Sequence, residues 1–156
     1  MFRISKLMLF ALVISFILFS CKEQTPVSQE EHTEAAGFNI YSGGKLILKM
    51  YNLNLDTSIS KGLNLPLSSS TSDFEVRFLN DLGNELSAYE EGQSLIVIVE
   101  DSTLVNTTIV AVDPATTDVW KFKANGIKAG NTLLTIRLDH HGHPDFTSPK
   151  FPLLVK

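Results

Sequence analysis

Downstream of residue 37 the apolar positions alternate with a period of two, and no segment shows a helical period of useful length. The clearest example is Asp73–Phe78, in which Phe74, Val76 and Phe78 alternate with charged residues. Such alternation predicts a β-strand with one buried face and one solvated face. The same pattern predicts strands at Lys45–Tyr51, Val119–Ala124, Thr132–Leu138 and Phe151–Val155.

Two further segments are apolar at almost every position. Leu95–Val99 is rich in β-branched residues, which predicts a central strand covered on both faces. Thr108–Val112 has a similar composition. Pro152 lies in the last predicted strand, where a proline indicates a sheet edge or the start of a strand.

Turn residues separate these strands. Asn80–Asn84 and Asn125–Gly126 are predicted turns, and Ser68–Ser72 is a predicted flexible connector. Short strands at fairly regular spacing favour an antiparallel sandwich over an α/β fold. We therefore predict an all-β fold, an antiparallel immunoglobulin-like β-sandwich of about seven or eight strands. A small closed barrel is the structural alternative.

The N-terminus has a different pattern. Arg3 and Lys6 flank the start of Leu7–Leu18, a 12-residue run that is apolar except for Ser15. The run is too short to span a bilayer, which takes about 20 residues, and it matches the apolar region of a secretory signal. A core helix and an uncleaved anchor are weaker interpretations, because apolar residues cover every face and Ser20-Cys21 ends the run early.

The segment Leu18-Phe19-Ser20-Cys21 resembles a bacterial lipoprotein box, in which a small residue precedes the cysteine that is acylated and becomes the new N-terminus. Cys21 is the only cysteine in 156 residues, so an internal disulfide is impossible and acylation accounts for the thiol. The resemblance implies that the lipid on Cys21 attaches the protein to a membrane. Because Lys22 replaces the aspartate that retains enterobacterial lipoproteins in the inner membrane, the resemblance favours an outer-membrane lipoprotein, periplasmic or surface-exposed.

These features predict three segments. Residues 1–20 form a lipoprotein signal peptide, residues 21–37 form a flexible polar tether, and residues 38–156 form the Ig-like β-sandwich domain.

The net charge of the chain argues against nucleic acid as a partner. The full chain carries 13 Lys+Arg and 17 Asp+Glu, a net charge of −4. Removing residues 1–20 removes Arg3 and Lys6 but no acid, which leaves 11 basic and 17 acidic residues and a net charge of −6. Nucleic-acid binding depends on clustered Lys and Arg, so we predict that no nucleic acid is bound.

Two C-terminal segments resemble a known module. Lys128–Leu138 resembles the penultimate strand of bacterial Ig-like modules, where "aGxTxLxIxL" recurs, and Phe151–Val155 resembles their closing strand. Lipoproteins of Bacteroidetes-like bacteria carry such modules. The resemblance implies the fold but no single function, because these modules host adhesion, assembly, and carbohydrate or metal binding.

Three of the four histidines lie in the short segment 139–145. Imidazole is the commonest metal ligand, and carboxylates complete such sites. The candidate ligands for a divalent transition metal (Zn, Cu or Ni) are His140, His141, His143 and Asp145. The alternative is a polar inter-strand loop in which His and Asp side chains hydrogen-bond to the backbone and to each other.

No motif indicates catalysis. The chain has no Gly-x-Ser-x-Gly elbow, and a blue-copper site would need a cysteine thiolate, whereas Cys21 is assigned to the lipid. We predict no enzymatic activity and no obligatory cofactor. The predicted function is a lipid-anchored envelope module that binds or scaffolds an envelope protein, and the alternative is a metal-binding lipoprotein that uses residues 139–145.

A third interpretation is a carbohydrate-binding module. It would need an exposed aromatic side chain at Tyr41, Tyr51, Tyr89 or Trp120 to stack on a sugar ring. The alternation places Trp120 beside Phe122 in the core, which weakens this interpretation.

Overall fold

A computed structural model describes residues 35–68, 71–86, 90–110 and 119–156. All of them fall within the structural unit Thr33–Lys156. The predicted signal peptide, Cys21 and residues 22–34 of the predicted tether lie outside the described residues.

The described residues form β-strands and turns, and no helix that could cross a membrane occurs among them. In chain order the strands are β1 (Gly37–Ser42), β2 (Lys45–Tyr51), β3 (Asn54–Leu55), β4 (Leu63–Leu65), β5 (Ser72–Leu79), β6 (Gln93–Val99), β7 (Val105–Val110), β8 (Trp120–Gly126), β9 (Gly130–His140), β10 (His143–Thr147) and β11 (Phe151–Val155).

The strands form two sheets. The six-stranded sheet has the order β3-β2-β1-β5-β8-β7, and all its neighbours are antiparallel. The five-stranded sheet contains β10, β9, β11 and β4 in that order, with β6 also paired to β9. Its β4 and β11 run parallel, whereas its other neighbours are antiparallel.

The long strand β9 is paired on both edges. Leu138 lies between Leu95 of β6 and Phe146 of β10, and Leu134 lies between Val99 of β6 and the first residue of β11. Because a residue has only two lateral neighbours in a sheet, β6 occupies one edge of β9. The strands β10 and β11 follow each other along the opposite edge.

This strand order is that of an immunoglobulin-like sandwich. The order β1-β5-β8-β7 matches strands ABED, and β6-β9-β11 matches strands CFG. The predicted all-β Ig-like sandwich is therefore confirmed. The described residues form eleven strands, more than the predicted seven or eight, and the strands without a predicted counterpart are β1, β3, β4 and β10. Strands β3 and β4 are too short to show a period, and the start of β10 falls in the histidine-rich segment 139–145. In β1, Phe38 and Ile40 do alternate with polar residues.

Aromatic rings join the two sheets. Phe38 of β1 lies 5.9–6.5 Å, between ring centroids, from Phe78 of β5, Phe146 of β10 and Phe151 of β11. Most of these contacts are edge-to-face, a favourable geometry for aromatic pairs. Phenylalanine side chains thus supply core contacts in a chain whose single cysteine makes an internal disulfide impossible.

The predicted inner faces are buried. The alternating apolar residues that form them are Leu48, Met50, Phe74, Val76, Phe78, Trp120, Phe122, Ala124, Leu134, Ile136, Leu138, Phe151, Leu153 and Val155. Pro152 is the second residue of β11 and precedes its ladder with β4, which confirms the predicted strand start.

The prediction of a central, fully covered strand at Leu95–Val99 is wrong. In the described part of the chain, β6 pairs with β9 alone, and Ile98 is 43% exposed. In the same way β7 pairs with β8 alone, and Ile109 is 41% exposed. A β-branched run indicates a strand, but its place in the sheet depends on long-range pairing.

One of the predicted turns is also wrong. Asn80–Asn84 is a turn, in which the Asn80 side chain accepts hydrogen bonds from two backbone N–H groups. Asn125–Gly126, however, continues strand β8 and pairs with β7. A Cβ on Gly126 would lie 2.6 Å from Cγ1 of Val155 and 2.7 Å from the carbonyl oxygen of Pro66. The glycine therefore permits a close approach and does not form a turn.

We expect Gly126→Ala to lower the free energy of unfolding by about 1–3 kcal/mol, because the added methyl meets a backbone oxygen that cannot move freely. Urea denaturation measures the loss. Asn106→Ala, at an exposed position in the adjacent strand β7, is the control and should change stability by less than about 0.5 kcal/mol. Equal stability of both variants would refute the close-approach role of Gly126.

Candidate functional site

The histidine-rich segment forms the tip of the β9–β10 hairpin. His140 pairs with His143 across the hairpin, and the two residues between them both have positive φ, 50° at His141 and 84° at Gly142. These angles are those of a two-residue type I′ turn, which matches the twist of the flanking strands. The tract is a tight turn between two strands.

His140 is held by a hydrogen bond through one ring nitrogen, and its other ring nitrogen lies near a carboxylate. The side chain is only 8% exposed. Its Nε2 lies 3.0 Å from the carbonyl oxygen of Glu91, and its Nδ1 lies 3.6 Å from Oδ2 of Asp145. A carbonyl oxygen only accepts hydrogen bonds, so Nε2 carries a proton and donates it. A protonated Nε2 has no lone pair for a metal, so within this ring a metal could bind only to Nδ1.

His141 fixes the hairpin to the loop before β6. Its backbone N–H donates to the carbonyl oxygen of Gly92 at 3.0 Å, and its ring packs at 4.4 Å, between centroids, on that of His140. A Cβ on Gly92 would lie 2.5 Å from Cε1 of His141. The ring therefore covers the glycine directly, and residues 90–92 dock against the hairpin.

The structure does not bring the four predicted metal ligands together. His143 is exposed at the start of β10, whereas Asp145 is half-buried beside His140. Across the described ranges, no group of three or more His, Cys, Asp or Glu side chains is arranged to hold a metal ion. The metal site stays a prediction, and the docked hairpin gives these residues a structural role.

A polar cluster that the sequence did not reveal lies on the outer face of the six-stranded sheet. Glu85 accepts three hydrogen bonds, from the Tyr41 hydroxyl at 2.6 Å, from Asn39 Nδ2 at 2.8 Å and from Arg77 Nη1 at 3.1 Å. The Arg77 guanidinium also lies 4.8 Å from the centre of the Tyr41 ring, a cation–π contact. We call these four residues the Glu85 cluster.

The cluster holds Glu85 in its charged form. Burial acts to raise the pKa of the Glu85 carboxyl, but the hydrogen bonds from Tyr41, Asn39 and Arg77 outweigh it and lower the pKa. The hydrogen bond to Glu85, followed by burial, raises the pKa of Tyr41. Proton transfer within the cluster is therefore disfavoured, and its role is to attach the segment after the Asn80–Asn84 turn to the sheet.

The aromatic residues considered for sugar binding are used elsewhere. Trp120 is 8% exposed, which confirms its predicted place in the core. One face of Tyr41 is covered by Arg77, and the Tyr51 hydroxyl donates to the carbonyl oxygen of Asp81. Tyr89 lies outside the described residues.

A groove of about 320 Å³ also opens on the outer face of the six-stranded sheet. Its walls carry two cross-strand ion pairs, Lys121 with Glu75 and Lys123 with Asp73, each 3.7 Å between nitrogen and oxygen. The charges of this face therefore neutralise one another across the strands, which leaves no strong field for a charged ligand.

Comparison with known proteins adds only distant structural likeness. No family model and no curated protein matches the chain. Domains 4 and 5 of the S-layer protein SbsC share 17% identity with it over 62% of this chain and 47% of that chain, with a TM-score of 0.43. The Lin-41 filamin domain shares 14% identity over 60% of this chain and 82% of that chain, with a TM-score of 0.37. The chain thus spans less than half of the SbsC fragment, and the fold assignment rests on the strand order described above.

We expect His140→Ala to lower the free energy of unfolding by about 1–2 kcal/mol, because it removes a buried ring and a hydrogen bond to the Glu91 carbonyl. His143→Ala is the matched control and should cost less than about 0.5 kcal/mol, because His143 is exposed. Denaturation with and without Zn²⁺ measures both. Equal losses that appear only with Zn²⁺ would instead indicate a shared metal site.

Glu85 should make stability depend on pH. Its folded-state pKa is lowered from the ordinary 4.5, so its contribution is complete above that value and disappears as the pH falls through the folded-state pKa. We expect Glu85→Gln to cost about 1 kcal/mol at pH 7, an amount discounted for partial exposure. The difference from wild type should shrink in acid.

Thermal unfolding measured between pH 7 and pH 3 tests this dependence. The control is Glu91→Gln, since the Glu91 side chain is exposed. A cost for Glu85→Gln that stays constant across this range would contradict the ionic role of the carboxylate.

Proposed function

We propose that the chain is a non-enzymatic, lipid-anchored module of the cell envelope that binds or scaffolds a protein partner. The observation that supports the proposal most directly is the order of its parts. A segment that ends at Cys21 and resembles a lipoprotein box is followed by a polar segment and then by an Ig-like sandwich. An export signal and an acyl anchor would place the folded module at a membrane surface, where it can contact other proteins of the same surface.

The contacts of the polar side chains support a non-enzymatic role. A catalytic base must lie within hydrogen-bond reach of a nucleophile and be free to accept its proton. Nε2 of His140 is engaged by a backbone carbonyl, and Glu85 is held by three donors. In the described part of the chain these groups serve to hold loops against the sandwich.

The location that we propose is the outer membrane, with the domain either in the periplasm or on the surface. The support is Lys22, which replaces the inner-membrane retention residue of enterobacterial lipoproteins. The mostly polar residues 22–34 would separate the sandwich, whose first strand begins at Gly37, from the lipid surface and leave its faces and edges accessible.

We expect Cys21→Ala to abolish incorporation of a clickable fatty acid and to move the protein from the membrane fraction to the soluble or unprocessed fraction, because no acyl acceptor remains. The control is Ser28→Ala, within the predicted tether, which should leave labelling and fractionation unchanged. A Cys21→Ala protein that is still labelled would refute the lipid anchor.

The binding role has its own test. Crosslinking of the full-length protein in intact cells, followed by reconstitution with the purified partner, should recover a stoichiometric complex. Failure to obtain any complex, together with measurable turnover of a substrate by the purified protein, would refute the proposed function.

A further inference from the structure

Within the described residues, strand β6 leaves one edge of the five-stranded sheet unpaired. Of the strands that the structure describes, only β9 pairs with it. The N–H of Glu100 donates to the carbonyl oxygen of Leu133 at 2.9 Å, so Glu100 is a residue whose backbone groups face β9. In an antiparallel pair every second residue faces the partner strand, so Ile98 and Ile96 also bond to β9. Leu95, Val97 and Val99 therefore direct their N–H and C=O groups away from β9.

This edge lacks the features that normally prevent strand addition. Proteins protect edge strands by making them very short, or with charged residues, prolines or bulges. The other outer strand of the same sheet, β4, has three residues, whereas β6 has seven. From Leu95 to Val99 every residue is Leu, Ile or Val, and β6 contains no charge and no proline.

The outer side chains of β6 are also apolar. Ile96 and Ile98 point to the outer face, opposite Arg137 and Thr135 of β9. Ile98 is 43% exposed. A strand added along the edge would place every second side chain beside these isoleucines, where apolar or β-branched cross-strand pairs are favourable.

Acidic residues bracket the edge at both ends. Glu90 and Glu91 precede β6, and Glu100 and Asp101 follow it. Lys150 pairs with Glu100 at 2.7 Å and Lys128 attracts Asp101, so these two lysines offset part of the charge after β6, and the acids before β6 lie at its other end. If two copies of the chain paired antiparallel through β6, the acids before the strand in one copy would approach the acids after it in the other. Such like charges repel, so a second copy is a poor occupant.

We propose that the open edge of β6 is the docking site for an extended segment of a partner protein. The segment adds as a new strand, carries apolar β-branched residues at alternate positions, and has basic residues at both ends. Its backbone bonds to Leu95, Val97 and Val99, and its basic ends meet the four acids. This mode of recognition is strand addition, and the inference rests on the binding role proposed above.

The test uses the full-length chain in detergent micelles and two synthetic peptides. One is Lys-Lys-Thr-Val-Thr-Val-Thr-Val-Lys-Lys, and the other has Glu at its four terminal positions. We expect the basic peptide to bind at least about tenfold more tightly at low salt. Hydrogen exchange at the amides of Leu95, Val97 and Val99 should slow at least about tenfold when it is bound.

A matched pair of variants locates the site. Ile98→Lys places a charge beside the β6 edge, and we expect it to weaken binding of the basic peptide at least about tenfold. Ile109→Lys makes the same change on β7 at nearly equal exposure, 41% against 43%, and should change binding by less than about twofold. Circular dichroism melting confirms that both variants fold.

Several results would overturn the inference. They are equal affinity for the two peptides, no binding of either peptide, exchange protection on β7, or unchanged binding by Ile98→Lys. A concentration-dependent dimer that Ile98→Lys abolishes would assign the edge to a second copy. A partner that crosslinks equally to wild type and Ile98→Lys would refute the β6 site but preserve the proposed function, whereas absence of any partner complex would refute the function itself.

Discussion

The pairing of β9 on both of its edges is the constraint on which the sandwich depends. Along one edge, β10 and β11 follow each other with a break between them, and Ser148 bridges that break. Its N–H donates to the carbonyl oxygen of Ile136 at 2.9 Å, and its Oγ accepts from the N–H of Ile136 at 3.0 Å. Because buried backbone groups need partners, the buried serine oxygen replaces a missing carbonyl. Strands β10 and β11 therefore stay aligned along β9, and this alignment brings Phe146 and Phe151 to Phe38.

The same alignment explains the histidine-rich tract. Once β10 is paired with β9, His140 and His143 face each other, and the two residues between them must take positive φ. His140 then points at the loop before β6, and its ring, with that of His141, covers residues 91–92. A composition typical of metal sites thus occurs where the fold needs a tight turn and a buried donor. Sequence proximity of three histidines does not fix the direction of their ring nitrogens.

The sequence predicted the features that depend on local periodicity. Alternation in β5, β8, β9 and β11 gave both the strands and their buried faces, because residues i and i+2 share a face whatever the strand pairs with. The missed features depend on distant segments. Gly126 is needed because Val155 approaches it, and β6 is an edge because no other described strand reaches it. The Glu85 cluster joins residues 46 positions apart, Asn39 and Glu85, so no local pattern indicates it.

The outer faces of the two sheets differ in their charge. On the six-stranded sheet, ion pairs such as Lys121 with Glu75 link neighbouring strands. Each surface pair adds little stability, but the paired charges keep that face hydrated. On the five-stranded sheet, β6 has isoleucines on the outer face, and its edge away from β9 pairs with no other strand in the described ranges. The core residues of β6 point inward, so occupation of the edge leaves the core unchanged. Binding there would extend the existing sheet and require no rearrangement of the sandwich, which lets a stable fold serve as a docking module.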